Sequence, residues 1–465
     1  MKQVRRVQYD FEVAVIGGGS GGYAAARTAA NAGLKTVVIE AAEEIGGLCI
    51  LHGCMPTKAL LYAAERLHIV RDSRVWGIES KQVHLDFAKA MTRKNTLIQN
   101  FAEHRREGLL SGRFKFLRAR ARFLDPHTVE LTTGEKITAA HFVISTGSIV
   151  APPPLPQLAE VGYLTSDDAL RLTELPESLI ILGGGAIGCE FSQFMARFGA
   201  KVTLVQRSPH VLHEFDTDAA ETIETVFRRE GVEVHTGTKL LDAKRDGELR
   251  SVSFEQGGKV VTVSGEQILF ALGRMPNTAS LGLEAAGVKT ERGRIKANEF
   301  MQTSAPHIYA AGDCVGPHDI VHIAVQQGEA AGLNIAKARS RKMDSRLHLV
   351  VVFTDPHVAQ VGLTEKQALA QKIPYIAASY PFKNHGKSMI MEANDGFVKL
   401  LADPKSGEII GGACVGPAGG ELIHEIVIAM ASRVTVQEFA LIPHYHPTLA
   451  EIWTYPAEEL AAKIS

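Results

Sequence analysis

The sequence predicts an α/β fold: two Rossmann-like dinucleotide-binding domains followed by a C-terminal α+β domain. Three observations predict it. A chain of 465 residues is too long for one core, since domains run to roughly 150 residues each. Near its start an apolar run leads through a glycine-rich turn into an alanine-rich helix and a second apolar run. The same succession returns in residues 179–207.

The first succession is "FEVAVIGGGSGGYAAARTAANAGLKTVVIE", residues 11–40, with Gly17, Gly19 and Gly22 in G-x-G-x-x-G spacing. Alone, that spacing is weak. Between a strand and a helix, with Glu40 closing the next strand, it marks a βαβ unit that binds a dinucleotide. The glycines let the backbone approach a pyrophosphate, whose charge suits the helix N-terminus. Glu40 is placed to hold ribose hydroxyls. The proline-rich "STGSIVAPPPLPQL", residues 145–158, leaves this unit. The second succession, "LIILGGGAIGCEFSQFMARFGAKVTLVQR", carries Gly183, Gly185 and Gly188 in the same spacing. It ends in Gln206-Arg207 instead of an acid. A carboxylate there accepts from the 2′-hydroxyl of NAD and repels the 2′-phosphate of NADP. Neutral Gln206 removes that repulsion and Arg207 can pair with a phosphate, so either NAD or NADP is expected. "LFALGRMPNT", residues 269–278, mirrors the first exit, and "HIYAAGDCVG", residues 307–316, is another apolar strand ending in Gly312-Asp313. The expected domains are 1–150 with 275–345, then 151–274, then 346–465.

Composition bounds the rest. Apolar residues make up 45% and charged residues 22%, an ordinary globular balance. A formal net charge of −1 points neither to nucleic acid nor to an anionic membrane. The basic start "MKQVRRVQYDFEVAVIGGG" runs straight into the first strand and turn, so no signal peptide is read there, nor any run of ~18 apolar residues elsewhere. Five scattered cysteines do not make a secreted disulfide framework. Cytoplasm, or a comparable reducing compartment, is expected.

Two of those cysteines lie close together, in "GGLCILHGCMPTK", residues 46–58. Cys49 and Cys54 are permitted zinc ligands by spacing, but a structural zinc site needs two more. Cys189, Cys314 and Cys414 are isolated, and His52 cannot complete a site, so no metal is expected. An inert buried pair is a second reading. A redox pair is the third. Residues five apart in an ideal helix rise ~7.5 Å, beyond the ~4.4–6.8 Å Cα separation that a disulfide needs. The segment must therefore bend, and Gly53 permits it. Pro56 suits the first turn of a helix "MPTKALLYAAERL". Cys54 then stands at a helix N-terminus, where a thiolate is favoured. Cys54 is thus the cysteine expected to face an electron donor, and Cys49 the one expected to exchange with substrate.

These residues resemble the flavin-dependent pyridine nucleotide–disulfide oxidoreductases, and among them the dihydrolipoamide dehydrogenase branch. The resemblance runs from Gly17 to Glu451 and rests on G-G-x-C-x₄-G-C-x-P-[ST]-K, intact at Gly46 to Lys58, together with the two glycine motifs. It implies FAD in the first unit, with Glu40 on the adenosine ribose, Gly47 in the redox signature, and Asp313 of "AAGDC" on the ribityl chain. Thr146 and Gly147 of "HFVISTGS" match the family's FAD-contacting segment, and Gly273 of "ALGRMPNT" matches the closing motif of the nicotinamide domain. The resemblance places Lys58 near the flavin, paired with Glu190 of "GGGAIGCE"; an unremarkable surface ion pair is the plainer reading, worth about 0–1 kcal/mol. "DIVHIAVQQGEAAG" is similar to the helix that runs along the flavin, and "VVFTDPHVAQVGLTE" to the start of a dimer-interface domain.

"IPHYHPTLAEIW", residues 442–453, holds His444, His446 and Glu451. Thiol–disulfide exchange needs a base that forms the attacking thiolate, and histidine titrates in the right range. The H-P-T-x-x-E pattern resembles the family's dyad, which implies His446 as base and Glu451 as the carboxylate that orients it. His444 is assigned a supporting or flavin-facing place. In the family the dyad reaches the cysteine pair of the other subunit, which implies a homodimer with the site across its interface. Two departures, Leu48 before the first cysteine and Ile50-Leu51-His52 between the two, line the approach to the pair.

The function expected is transfer of electrons between a substrate dithiol, protein-bound dihydrolipoamide, the Cys49–Cys54 pair, FAD and NAD(P), with a lipoyl-carrying protein as partner. Other readings stay open or are set aside. One is an NAD(P)H-dependent reductase of a glutathione-like disulfide. Another is a non-catalytic subunit of a lipoyl-dependent complex. A mercuric reductase, or a thioredoxin reductase of high molecular weight, carries a C-terminal cysteine pair that "PAEELAAKIS" lacks, and a soluble transhydrogenase lacks the paired cysteines.

Overall fold

The computed structural model describes residues 8–464. Within it the chain forms two compact units, the first comprising 8–56, 93–151 and 273–344, the second 57–92, 152–272 and 345–464.

The first unit is built on a parallel sheet. Strand Phe11–Ile16 lies at its centre, paired in parallel with Thr36–Glu40 on one side and Lys136–Ile144 on the other. Lys115–Arg118 extends one flank and Ile308–Ala310 the other, both parallel. The strands read as continuous apolar runs because both faces are covered: Val13 and Val15 pack under helices, Ala14 and Ile16 pack against strands Ala121–Asp125 and Thr128–Leu131, and Val13, Ala14 and Val15 are all fully buried. A buried valine side chain contributes about 1.5–3 kcal/mol over an exposed one. The covering helices, Ser20–Asn31 and Val321–Ala336, cross at small residues. A Cβ on Gly328 would stand 2.1 Å from the carbonyl oxygen of Gly21. Only glycine permits that approach. The two exit segments recognised in the sequence meet: Ser148–Val150 and Arg274–Pro276 pair as antiparallel strands.

The second unit contains three sheets, one parallel and two antiparallel. Four short parallel strands, in the order Glu233–His235, Lys201–Val205, Ser178–Leu182, Gln267–Phe270, repeat the βαβ pattern around helix Ala186–Phe198. An antiparallel three-stranded sheet, Thr238–Asp246, Leu249–Gln256 and Lys259–Gly265, is inserted before the last of them. The C-terminal part is an antiparallel five-stranded sheet, ordered Leu349–Val352, His357–Gly362, Ile409–Gly416, Phe397–Ala402, Ile376–Pro381. Helices Gly419–Ala431 and Thr454–Lys463 close over it. Its core centres on the fully buried Trp453, whose indole N–H donates to the Leu422 carbonyl at 3.2 Å. Among the described residues no helix is long and apolar enough to cross a membrane.

Candidate active site

The cysteine pair straddles a break between two helices. Gly47–Leu51 is a single short turn that carries Cys49, and Cys54–Arg71 is a long helix that Cys54 begins. His52 and Gly53 lie between them, outside both. The bend expected at Gly53 is therefore present, and glycine is required there by contact: a Cβ would sit 2.9 Å from the Leu48 carbonyl oxygen and 3.2 Å from the Cys49 Cα. Both cysteines are half-buried, and the thiol of Cys49 is hydrogen-bonded to that of Cys54. That hydrogen bond, then burial, pushes the Cys49 thiol well above the usual range. The guanidinium of Arg105, 4.4 Å from the centroid of the Tyr23 ring, works against the rise. Of the two, Cys54 stands at a helix N-terminus, a position that favours a thiolate. The other three cysteines are fully buried, and burial raises each thiol, Cys314 to about 11. They are inert by comparison.

Both glycine turns have the shape of a pyrophosphate cradle. Gly17 has φ +101° and Gly183 φ +105°, conformations that favour glycine. A Cβ on Gly22 would stand 1.8 Å from the Gly17 carbonyl oxygen, and one on Gly188 would stand 1.8 Å from that of Gly183. These contacts seat each helix on its strand. By contrast, a Cβ on Gly19 or on Gly185 would meet nothing within 4 Å. The space above each helix N-terminus is open, and a dinucleotide's phosphates fit it. Gly47, with φ +72°, abuts the first turn, since its Cβ would lie 2.8 Å from the Gly19 Cα.

The residues that close the two strands do the same work with different chemistry. Glu40 accepts the Gly18 N–H at 2.6 Å and the Ala42 N–H at 2.8 Å. Gln206 Oε1 accepts the Gly184 N–H at 2.9 Å. An amide oxygen can thus replace a carboxylate as the acceptor that shapes the turn. Gln206 is buried, while Arg207 beside it is exposed.

Around the first turn the exit segments supply further polar groups. Arg274 Nε donates to Ser148 Oγ at 2.8 Å, and Ser148 Oγ donates to Asp313 Oδ2 at 2.7 Å. Burial pushes the Asp313 carboxyl above the usual carboxylate range, against the Ser148 hydrogen bond. The Thr146 hydroxyl is buried without a partner among the described residues, and Gly147 adopts φ +68°. An orphaned hydroxyl, a carboxylate with spare acceptors and an open cradle together suit a flavin dinucleotide. Gly273, with φ +117°, lets the chain turn into the strand that carries Arg274.

In the second unit Lys58 Nζ donates to both carboxylate oxygens of Glu190, at 2.8 and 2.7 Å. Glu190 is almost wholly buried and also accepts the Phe353 N–H at 2.9 Å, while Lys58 lies 4.7 Å from the Phe353 ring centroid. This is a desolvated, multiply bonded pair, unlike a solvated surface bridge.

His446 Nδ1 lies 2.9 and 3.1 Å from the two oxygens of Glu451. The carboxylate is 10% exposed and the imidazole 78%. His444 is held elsewhere, with Nε2 on Glu425 and Nδ1 on the Ile442 carbonyl. Sequence reasoning missed His385, which is fully buried and whose Nε2 lies 3.2 Å from Glu451 Oε1. It missed Ser148, Arg274 and Arg105 as well. Ser148 and Arg274 sit inside motifs that were noticed; His385 and Arg105 carry no sequence signal.

Residues 11–328 match the family described as pyridine nucleotide-disulphide oxidoreductase, and 349–457 match its dimerisation domain. Among curated relatives, a dihydrolipoyl dehydrogenase of Thermus scotoductus is 37% identical, covering 97% of each chain. One from Bacillus subtilis is 35% identical, covering 95% of this chain and 96% of its own. A mercuric reductase of Streptomyces lividans is also 35% identical, over 98% of this chain and 97% of its own. Among solved structures, LpdA of Mycobacterium tuberculosis superposes with TM-score 0.86 at 28% identity. The HOCl-induced flavoprotein disulfide reductase RclA of Escherichia coli gives 0.84 at 26%; each comparison covers 96% of this chain and 99% of the other. The dimerisation domain supports a homodimer. The chain belongs to the pyridine nucleotide–disulphide oxidoreductase family, flavoprotein enzymes whose cofactors are FAD and NAD(P).

Proposed function

We propose that this flavoprotein oxidises a dithiol, with protein-bound dihydrolipoamide as its substrate and NAD(P)⁺ as the final acceptor. The observation that carries the reading is the hydrogen-bonded Cys49–Cys54 pair across the Gly53 bend, with Cys54 at a helix start. His446, oriented by Glu451, takes the proton of one substrate thiol. The thiolate attacks the Cys49 sulfur of the oxidised pair, the Cys49–Cys54 bond breaks, and Cys54 leaves as the thiolate. The second substrate thiol then displaces Cys49 from the mixed disulfide. Substrate departs as a disulfide, and the pair is left reduced, two electrons richer, with one substrate proton on Cys49, the other on His446 and the negative charge on Cys54. FAD, when bound, supplies the route by which those two electrons go on to NAD(P)⁺. Glu40 and Asp313 would hold its ribose and ribityl hydroxyls and Thr146 and Gly147 would line it, while the family resemblance gives the Lys58–Glu190 pair a place near its ring. Gly183, Gly185, Gly188, Gln206, Arg207 and Gly273 belong to the nicotinamide site. The exposure of His446 suits a base presented to the cysteine pair of a second protomer.

A second reading, an NADPH-dependent reductase of a low-molecular-weight disulfide, draws on Gln206 and the exposed Arg207. The deciding measurement is steady-state kcat/KM with dihydrolipoamide and NAD⁺ set against glutathione disulfide and NADPH. The first pair is expected to win. His446→Gln is expected to slow dithiol turnover by at least ~10²-fold, as loss of a general base does, while an unchanged rate removes it from the mechanism.

A further inference from the structure

Glu451 does not face His446 alone. The segment after strand Ile376–Pro381 turns through Phe382–Asn384 into the short helix Gly386–Ile390, and His385 lies between these two turns. Its side chain is 0% exposed, and its Nε2 stands 3.2 Å from Glu451 Oε1. Its Nδ1 is 2.8 Å from the Ser388 hydroxyl, which is also buried. The ring sits edge-on to Phe382 and to Tyr455, at centroid distances of 6.5 and 6.4 Å. Tyr455 in turn stacks flat on Tyr380, 4.0 Å away. The imidazole therefore has little freedom to turn away.

The chemistry of this arrangement is constrained. A neutral imidazole carries one N–H. With the Ser388 hydroxyl donating to Nδ1, that proton resides on Nε2, the nitrogen facing Glu451. Burial disfavours the charged ring and pushes His385 below the usual histidine range, although Glu451 opposes this. His385 thus meets the carboxylate as a neutral dipole, and the negative charge of Glu451 stays available to His446. In this geometry Nε2 is within ion-pair distance of Oε1 but off the angle of a hydrogen bond.

We propose that His385 is a positioning residue for the dyad: through Glu451 Oε1 it fixes the carboxylate that orients His446 and tempers the hold of that carboxylate on the His446 proton. The proposal rests on the dithiol–disulfide reading above for its meaning in turnover, though not for its first test. The titratable groups facing His385 are Glu451, His446 and, edge-on, Tyr455, which is itself beside Tyr380 and Glu458.

The test uses the FAD-loaded enzyme and the variants His385→Asn, His385→Gln and Ser388→Ala. Mass-spectrometric hydrogen exchange at the imidazole C2 position reads the pH midpoint of His446 without any substrate. His385→Asn is expected to raise that midpoint by about half a pH unit, roughly a threefold change in proton affinity, because Glu451 then spends its charge on His446 alone. His385→Gln, whose amide N–H can reach Oε1, is expected to restore it. In turnover, the same limb of the kcat/KM profile moves with the midpoint, while KM for the nicotinamide nucleotide stays constant. If His385→Asn fails to fold, Ser388→Ala, which keeps the ring but frees its Nδ1, must shift the midpoint in the same direction. A His446 midpoint unmoved in every folded variant overturns the proposal and leaves His385 a packing residue. A midpoint that moves in an enzyme inactive on all thiols and disulfides overturns the functional reading and spares the positioning one.

Discussion

Gly53 carries no reactive group, yet the redox pair depends on it. The helix that starts at Cys54 and the turn that holds Cys49 meet where a side chain would press on the Leu48 carbonyl and the Cys49 Cα. Gly53→Ala is expected to force the two segments apart, at about 1–3 kcal/mol for the overpacking, and to weaken the contact between the thiols. Thermal unfolding and thiol titration of the reduced protein check it; a wild-type Tm with wild-type thiol reactivity refutes it. At this scale the sequence made the candidate residues legible. Cys49, Cys54, His446 and Glu451 lie in short motifs whose spacing limits what they can do. Lys58 and Glu190 are 132 positions apart, and motif resemblance alone joined them. His385 went unread because its partner is 66 positions away and nothing local distinguishes it among 18 histidines.

Within each dinucleotide element the glycines divide into two kinds, and the difference is measurable. Gly22 has no room for a methyl group, because the Gly17 carbonyl already occupies that place; Gly19 has room to spare. Gly19→Ala is therefore expected to fold with an unchanged Tm as apoprotein but to lose FAD, since its methyl enters the pyrophosphate space. Gly22→Ala is expected to destabilise the apoprotein itself, by about 2 kcal/mol or more, as other buried clashes do. Apoprotein unfolding and flavin absorbance separate the two, and equal behaviour would show that the open space is not the cofactor's. The strand-turn-helix order of both elements was legible because period and glycine placement are local properties. The hydrogen bonds from Gly18 N–H to Glu40 and from Gly184 N–H to Gln206 were not. Reading the strand-end residue only as a ribose ligand overlooks that it first has to shape its own turn.

At the scale of the whole molecule, the C-terminal stretch leaves large groups in the open. Leu441 is 85% exposed and Tyr445 83%, next to the exposed His446. Neighbouring exposed apolar groups suit an interaction surface, and both residues lie within the stretch that matches the dimerisation domain. If the dyad of one protomer serves the cysteine pair of the other, two dead variants complement each other. Cys54→Ser and His446→Gln homodimers are each expected to be inactive or nearly so. A mixed dimer carries one doubly defective site and one intact site, so it is expected to show about half the wild-type activity. Mixtures that stay as inactive as their parents, after subunit exchange is verified, would place the dyad and the pair on the same protomer.

The sequence by itself determined the two nucleotide folds and set the proposed redox pair and the proposed base in short motifs. Each of these is encoded in residues near one another along the chain, where sterics and helix geometry leave few alternatives. The tertiary structure decided what surrounds them: the Arg274–Ser148–Asp313 chain, the buried acceptors of the glycine turns, and the second histidine on Glu451. Those contacts join residues tens to hundreds of positions apart. Burial sets their chemistry, and burial is a property of the packed molecule that no local pattern carries.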